Sequence, residues 1–255
     1  MIAHAVIEGP ESSRTAWILH GILGSGRNWR SFARALRRDD PTWRYVLPDL
    51  RNHGETGPLP GPHDLAACAA DLAELPRPDR VIGHSFGGKV ALQWMRAPTT
   101  DADVWVLDSI PVATSPSTDN QVMQVLAALQ EVPVPAPERS DVREMLVGKG
   151  VPGTLVDWLL TSLRRGEAGW DWVYGLQGVE AMMASYFASD FGDLLAEHRG
   201  APLHIVRAMD SDRWTDDVLA RLSFGPDTRF VEFPDAGHWL HVDQPVALRR
   251  LLLAS

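Results

Sequence analysis

The segment Gly83-His84-Ser85-Phe86-Gly87 constrains the fold of this 255-residue chain more than any other stretch. It follows the apolar run Arg80-Val81-Ile82, which reads as a buried strand. It opens Gly88-Lys89-Val90-Ala91-Leu92, which reads as a helix. A chain passing from strand to helix so abruptly has no room for side chains beside the turn, hence glycine at 83 and 87. The apex residue is held in a strained conformation with its hydroxyl standing above the sheet. The helix that follows offers free N–H groups and a positive dipole end beside that hydroxyl. Ser85 is therefore a candidate nucleophile. A Gly-rich turn whose serine only caps the helix is the competing reading.

Strands and helices alternate around this turn. Trp17-Ile18-Leu19, Tyr45-Val46-Leu47 and Val104-Trp105-Val106-Leu107 read as further buried strands. Trp29 to Leu36 (with Asn28 as N-cap), Asp64 to Leu75 and Gly87 to Met95 read as helices between them. Short apolar runs without polar alternation are the mark of parallel strands covered on both faces. The alternation stops at Pro111. Helical patterns follow at Gln121 to Leu129, Val142 to Val147 and Leu155 to Leu163, with no clear strand. It resumes with Leu203 to Val206, a helix near Asp216 to Leu222, Phe230 to Phe233 and a last helix from Pro245 to Leu253. The expected architecture is one α/β core from residues 1–110 and 189–255, a mostly parallel sheet flanked by helices, with residues 111–188 inserted as a helical cap.

A serine nucleophile needs a base. Asp235-Ala236-Gly237-His238-Trp239 lies just after the last strand, where chain order for this architecture places the histidine. His238 would take the Ser85 proton and return it to the leaving group. A paired carboxylate is expected to lift its pKa above the ordinary value of about 6.5. The competing role is a capping histidine beside Pro245. His238 and His241 stand three apart, but no nearby Cys or Glu completes a metal site, so none is expected. The loop His20-Gly21-Ile22-Leu23-Gly24 follows a strand end. Its Ile22 N–H and the Phe86 N–H are the candidate oxyanion donors. His20 and His84 are expected to brace these loops.

Charge and composition narrow the partners. The net charge is −9, and no Lys/Arg run is long enough to grip a phosphate backbone. Arg164-Arg165 and Arg249-Arg250 read as solvated helical faces. Nucleic acid is not an expected partner, and neither is a membrane, since no uncharged apolar stretch approaches the length needed to span one. The lone Cys68 sits in an apolar run and reads as a buried, inert thiol. No leader is visible before His4, and the expected location is cytoplasmic. Within the expected cap, Trp158, Leu159, Leu163, Trp172, Met182, Met183, Tyr186 and Phe187 suggest an apolar crevice for an acyl group.

Leu19-His20-Gly21-Ile22-Leu23-Gly24-Ser25, Asp49-Leu50-Arg51-Asn52-His53-Gly54, Gly83-His84-Ser85 and Ala236-Gly237-His238-Trp239 resemble, in order, the α/β-hydrolase superfamily. The Arg51-Asn52-His53-Gly54 variant resembles YbfF-like esterases and their eukaryotic α/β-hydrolase-domain relatives. The resemblance implies a serine hydrolase cleaving carboxylic esters or acyl thioesters, without a cofactor, under a helical cap. It carries the nucleophile and base onto Ser85 and His238. In most of the superfamily the acid follows the strand at Leu203 to Val206, where this chain reads Asp210-Ser211-Asp212. The resemblance to YbfF-like esterases favours Asp108 instead, with Ser211 as an auxiliary partner and Asp212 and Asp210 as alternates. The same motifs fit a C–C bond hydrolase, a lyase or a perhydrolase. A non-catalytic binder on the same fold is the reading from another class.

Overall fold

The computed structural model describes residues 1–97, 101–116 and 120–254. The expected core and cap also include the remaining positions, which lie outside the described residues. Strand β1 (His4–Ile7) leads through β2 (Arg14–Leu19) to helix α1 (Arg30–Asp39). Then come β3 (Trp43–Pro48), α2 (Leu65–Asp71), β4 (Arg80–His84), α3 (Phe86–Met95) and β5 (Asp103–Leu107). Helices α4 (Gln121–Gln130), α5 (Arg139–Gly148) and α6 (Gly153–Leu159) follow, then a hairpin of β6 (Leu163–Gly166) and β7 (Gly169–Trp172). Next are α7 (Leu176–Ala188), α8 (Gly192–Glu197), β8 (Leu203–Ala208), α9 (Asp216–Ala220), β9 (Thr228–Phe233), α10 (Leu240–Asp243) and α11 (Pro245–Leu253).

The main sheet has seven strands in the order β1-β3-β2-β4-β5-β8-β9. All neighbours are parallel except β1, which pairs with β3 antiparallel. Successive side chains of each strand point to opposite faces, and both faces are buried. Trp17, Leu19, Val81, Val104 and Val106 face α2 and α3. Ala16, Ile18, Ile82, Trp105 and Leu107 face α1 and α11. Each large apolar side chain so buried contributes roughly 1.5–3 kcal/mol. Cys68 is free and fully buried in the first of these layers, and burial pushes its pKa up.

Three expectations need correction. The segment between β5 and β8 is not purely helical: β6 and β7 pair as a hairpin, Leu163 opposite Trp172 and Gly166 opposite Gly169. Four-residue strands are too short for periodicity to declare, and their Arg-rich side is exposed. Arg164 and Arg165 therefore stand on a strand, and Arg164 pairs with Glu55. At α1 the cap is not Asn28. A 3-10 turn, Gly26–Trp29, precedes the helix, and Asn28 Oδ1 instead reaches back to accept the Ser25 N–H at 2.7 Å.

Candidate active site

Parallel pairing puts the C-terminal ends of β4, β5, β8 and β9 side by side at one edge of the sheet. That edge is where open α/β sheets bind ligands. Ser85 follows β4, Asp108 follows β5, Ser211 lies beyond β8 and His238 beyond β9.

Ser85 has φ +52° and ψ −118°, a conformation that L-residues rarely adopt. Its N–H donates to Leu107 O at 2.9 Å, and its carbonyl accepts from Gly88 N–H at 2.9 Å. A Cβ on Gly83 would lie 2.3 Å from Gly87 O, and one on Gly87 would lie 2.4 Å from Leu19 O. The turn is thus closed to any residue but glycine at both flanks.

Asp108 is also left-handed, at φ +43°, and its side chain is saturated. Oδ1 accepts from Ala208 N–H at 3.2 Å and Trp214 Nε1–H at 2.6 Å. Oδ2 accepts from Ser211 Oγ–H at 2.8 Å and His238 Nδ1–H at 2.7 Å. Burial raises the carboxyl's pKa, but these bonds outweigh it and hold Asp108 below its ordinary value. The structure therefore brings Asp108, Ser211 and His238 together. Asp210 and Asp212 stand exposed at the rim of the cavity above, and neither is hydrogen-bonded to His238.

Ser85 and His238 line the same cavity, of about 870 Å³. Their side chains are not hydrogen-bonded to each other among the described residues; such bonds commonly tighten only when substrate is in place. The expected rise in the His238 pKa does not occur. Burial lowers it below 6.5, and the Asp108 bond only partly opposes that. Near neutral pH the imidazole is therefore unprotonated, the form a base requires.

The two candidate oxyanion donors are unengaged: among the described residues neither Ile22 N–H nor Phe86 N–H reaches an acceptor. The peptide next to Ile22 is held from both sides. Leu23 N–H donates to His53 Nε2 at 3.0 Å, and Leu23 O accepts from Tyr174 Oη–H at 2.6 Å. His20 accepts from Leu50 N–H through Nε2 at 3.0 Å and donates from Nδ1 to Gly21 O at 2.8 Å. Burial lowers the pKa of His20 to about 4 and of His53 to about 3, so both brace as neutral rings. His84 Nε2–H donates to His238 O at 2.7 Å. His241 stacks on Trp29, with ring centroids 3.9 Å apart. Among the described residues no cluster of His, Cys, Asp or Glu is arranged to hold a metal.

Of the eight apolar residues expected to form a crevice, only Trp158 lines this cavity. The others are buried in packing, because they sit on the faces that α6, α7 and the hairpin turn inward. The apolar wall comes instead from Val122 and Val125 on α4 and Leu155 and Trp158 on α6.

Reasoning from sequence also missed Trp214 and Tyr174, and the bonding roles of His53 and Lys89. Trp214 follows the Asp-Ser-Asp loop closely enough to have signalled a buried indole donor. Lys89 is fully buried in α3, and its ammonium donates to Val112 O, Tyr186 O and Ser189 O at 3.0, 2.6 and 2.8 Å. Three acceptors match the three donors of an ammonium group. Helix α3, which follows Ser85, is thereby tied to the chain at Val112 and at the end of α7, Tyr186 and Ser189.

The pattern of the alpha/beta hydrolase family matches residues 18–251. A zebrafish sn-1-specific diacylglycerol lipase, ABHD11, is 28% identical over 96% of this chain and 79% of its own length. Esterase YbfF from Escherichia coli is 26% identical over 92% of this chain and 90% of its own length. Among solved structures, a marine microorganism esterase superposes with a TM-score of 0.83 at 27% identity, covering 99% of this chain and 98% of its own. The thioesterase domain from a curacin biosynthetic pathway shares the fold, with a TM-score of 0.69 at 21% identity over 100% of this chain and 95% of its own. The chain is a hydrolase and belongs to the alpha/beta hydrolase family.

Proposed function

We propose that this chain hydrolyses carboxylic esters, acyl thioesters included, through a Ser85–His238–Asp108 relay and an acyl-enzyme. The observation that carries the reading is the saturated Asp108 carboxylate, bonded to His238 Nδ1 at 2.7 Å while His238 and Ser85 line one cavity. That bond fixes the tautomer, leaving Nε2 as the proton acceptor. Similarity to proteins named lipase and esterase supports an ester as the bond broken.

In the first half-reaction Ser85 Oγ bonds the carbonyl carbon while His238 Nε2 takes its proton. The carbonyl oxygen gains the negative charge and is met by the Ile22 and Phe86 N–H groups. Collapse breaks the bond to the alkoxy or thiolate group, which leaves with the proton from His238. In the second, water attacks the acyl carbon as His238 takes a water proton. Collapse then breaks the bond to Oγ, releases the acid and returns the proton to Ser85. Residues 111–188 act as a cap whose Val122, Val125, Leu155 and Trp158 bound the acyl group.

The test is covalent labelling by a fluorophosphonate, followed by rates across aryl esters and acyl thioesters of increasing chain length. Labelling at Ser85 with turnover of either series is expected. A folded protein that neither labels nor turns over would contradict the reading.

A further inference from the structure

The loop after β8 places one arginine in the cavity that holds Ser85 and His238. Arg213 lines that cavity, is only partly exposed, and follows the Ser211 that bonds Asp108. Its Nε is buried without a hydrogen-bond partner. No ion pair joins its guanidinium to a carboxylate among the described residues.

The carboxylates around it do not answer for it. Asp108 is filled by four donors, none of them Arg213. Asp243 is engaged by the Gly237 N–H at 3.0 Å. Asp210 and Asp212 are exposed and forgo an ion pair with the arginine beside them. Other arginines of the chain are paired, among them Arg51 with Asp71, Arg80 with Asp103 and Arg221 with Asp190. Arg213's charge reaches the catalytic side of the cavity, since it acts on both His84 and His238. Its Nε–H, withdrawn from water without an acceptor, is costly unless an anion completes it. A planar fork of N–H donors suits a carboxylate or phosphate bound by two oxygens.

We propose that Arg213 anchors an anionic group, carboxylate or phosphate, on the ester cleaved at Ser85. This rests on the ester-hydrolase reading. The substrate then has two ends in the cavity: a scissile carbonyl at Ser85 and a charged group at Arg213, with the apolar wall of α4 and α6 between or beside them. Selection among esters would come partly from charge and not only from acyl length.

The test compares wild type, Arg213→Gln and Arg213→Lys on three esters: monomethyl succinate, 2-acetoxyethyl phosphate and neutral methyl pentanoate. The quantity read is the ratio of kcat/KM on a charged ester to that on the neutral one. Arg213→Gln should lower that ratio at least tenfold for one charged ester, chiefly through KM, and Arg213→Lys should restore part of it. The ester affected tells carboxylate from phosphate. A ratio unchanged for both charged esters would overturn the inference while leaving the Ser85 reading intact. Calorimetry on Ser85→Ala covers the case in which no ester turns over. Monomethyl succinate or acetoxyethyl phosphate should bind it more tightly than methyl pentanoate, and adding Arg213→Gln should remove the difference. Equal binding of all three esters would overturn the inference independently of catalysis.

Discussion

The imidazole of His84, the residue before Ser85, donates its Nε2–H to the backbone carbonyl of His238 at 2.7 Å. The strained turn that presents Ser85 therefore also holds the loop that presents His238. The His84 bond thus ties the two loops directly, beside the Asp108 bond that holds the His238 ring. His84 is buried, and burial holds its pKa well below 6.5, so the bond is made by a neutral ring across the working pH range.

Removing that bond should loosen the base without touching the reacting atoms. His84→Ala is expected to lower kcat by roughly ten- to hundredfold, the cost of a misplacement on the order of 1 Å, with a smaller change in KM. His84→Gln keeps a donor at similar reach and should recover part of the loss. Steady-state kinetics on a short aryl ester would check both, and equal losses in the two variants would mean that ring packing alone matters.

Asp108→Asn keeps the shape of the side chain and removes its charge. It turns an acceptor toward a donor in a site already filled by four donors, so His238 is expected to lose its tautomer. Activity should fall by roughly a hundred- to ten-thousandfold, as for comparable changes in serine proteases. Asp210→Asn and Asp212→Asn should each cost less than about tenfold, as for groups outside the reacting relay. Parallel rates on folded variants would rank the three.

The pH profile follows from the direction of the His238 shift. Its pKa in the fold lies below the ordinary 6.5 because burial outweighs the Asp108 bond. The proposed base must be neutral to act, so kcat/KM should rise with pH and level off with a midpoint below 6.5, staying flat through neutrality. A midpoint above 6.5, measured with chemistry rate-limiting, would mean that the carboxylate dominates.

Most of the core was legible because its signals are local. Buried parallel strands such as Val104–Leu107 show as continuous apolar runs, and the glycines at 83 and 87 report a steric limit that no other residue satisfies. Ser85 and His238 could be singled out as candidates from motif and chain order, and the structure places both on one cavity. The β1 edge strand was not seen because its four residues are half exposed, and the β6–β7 hairpin because its strands are short and partly charged. The supporting polar bonds were hidden for a different reason. Trp214 with Asp108 and Tyr174 with Leu23 join residues separated by 106 and 151 positions, and side-chain type does not encode such partners. Lys89 was read as an ordinary helix position, yet its three carbonyl acceptors lie 23, 97 and 100 residues away.

Lys89→Met should be among the more damaging single changes away from the cavity. It fills similar space but leaves three carbonyl oxygens without their donor, at a cost of about 3 kcal/mol or more. Urea unfolding at constant slope would show the lowered midpoint. An unchanged midpoint would mean that water replaces the ammonium without loss.

The central claim is that Ser85 Oγ is the nucleophile. The most direct measurement is the rate of p-nitrophenyl butyrate hydrolysis by Ser85→Ala beside wild type, with folding checked by near-UV circular dichroism. Alanine removes only the reacting oxygen, and the strained turn is held by the backbone bonds to Leu107 and Gly88. The expected result is a folded protein whose rate has fallen on the order of a millionfold. A folded Ser85→Ala variant that keeps a tenth or more of the wild-type rate would contradict the account.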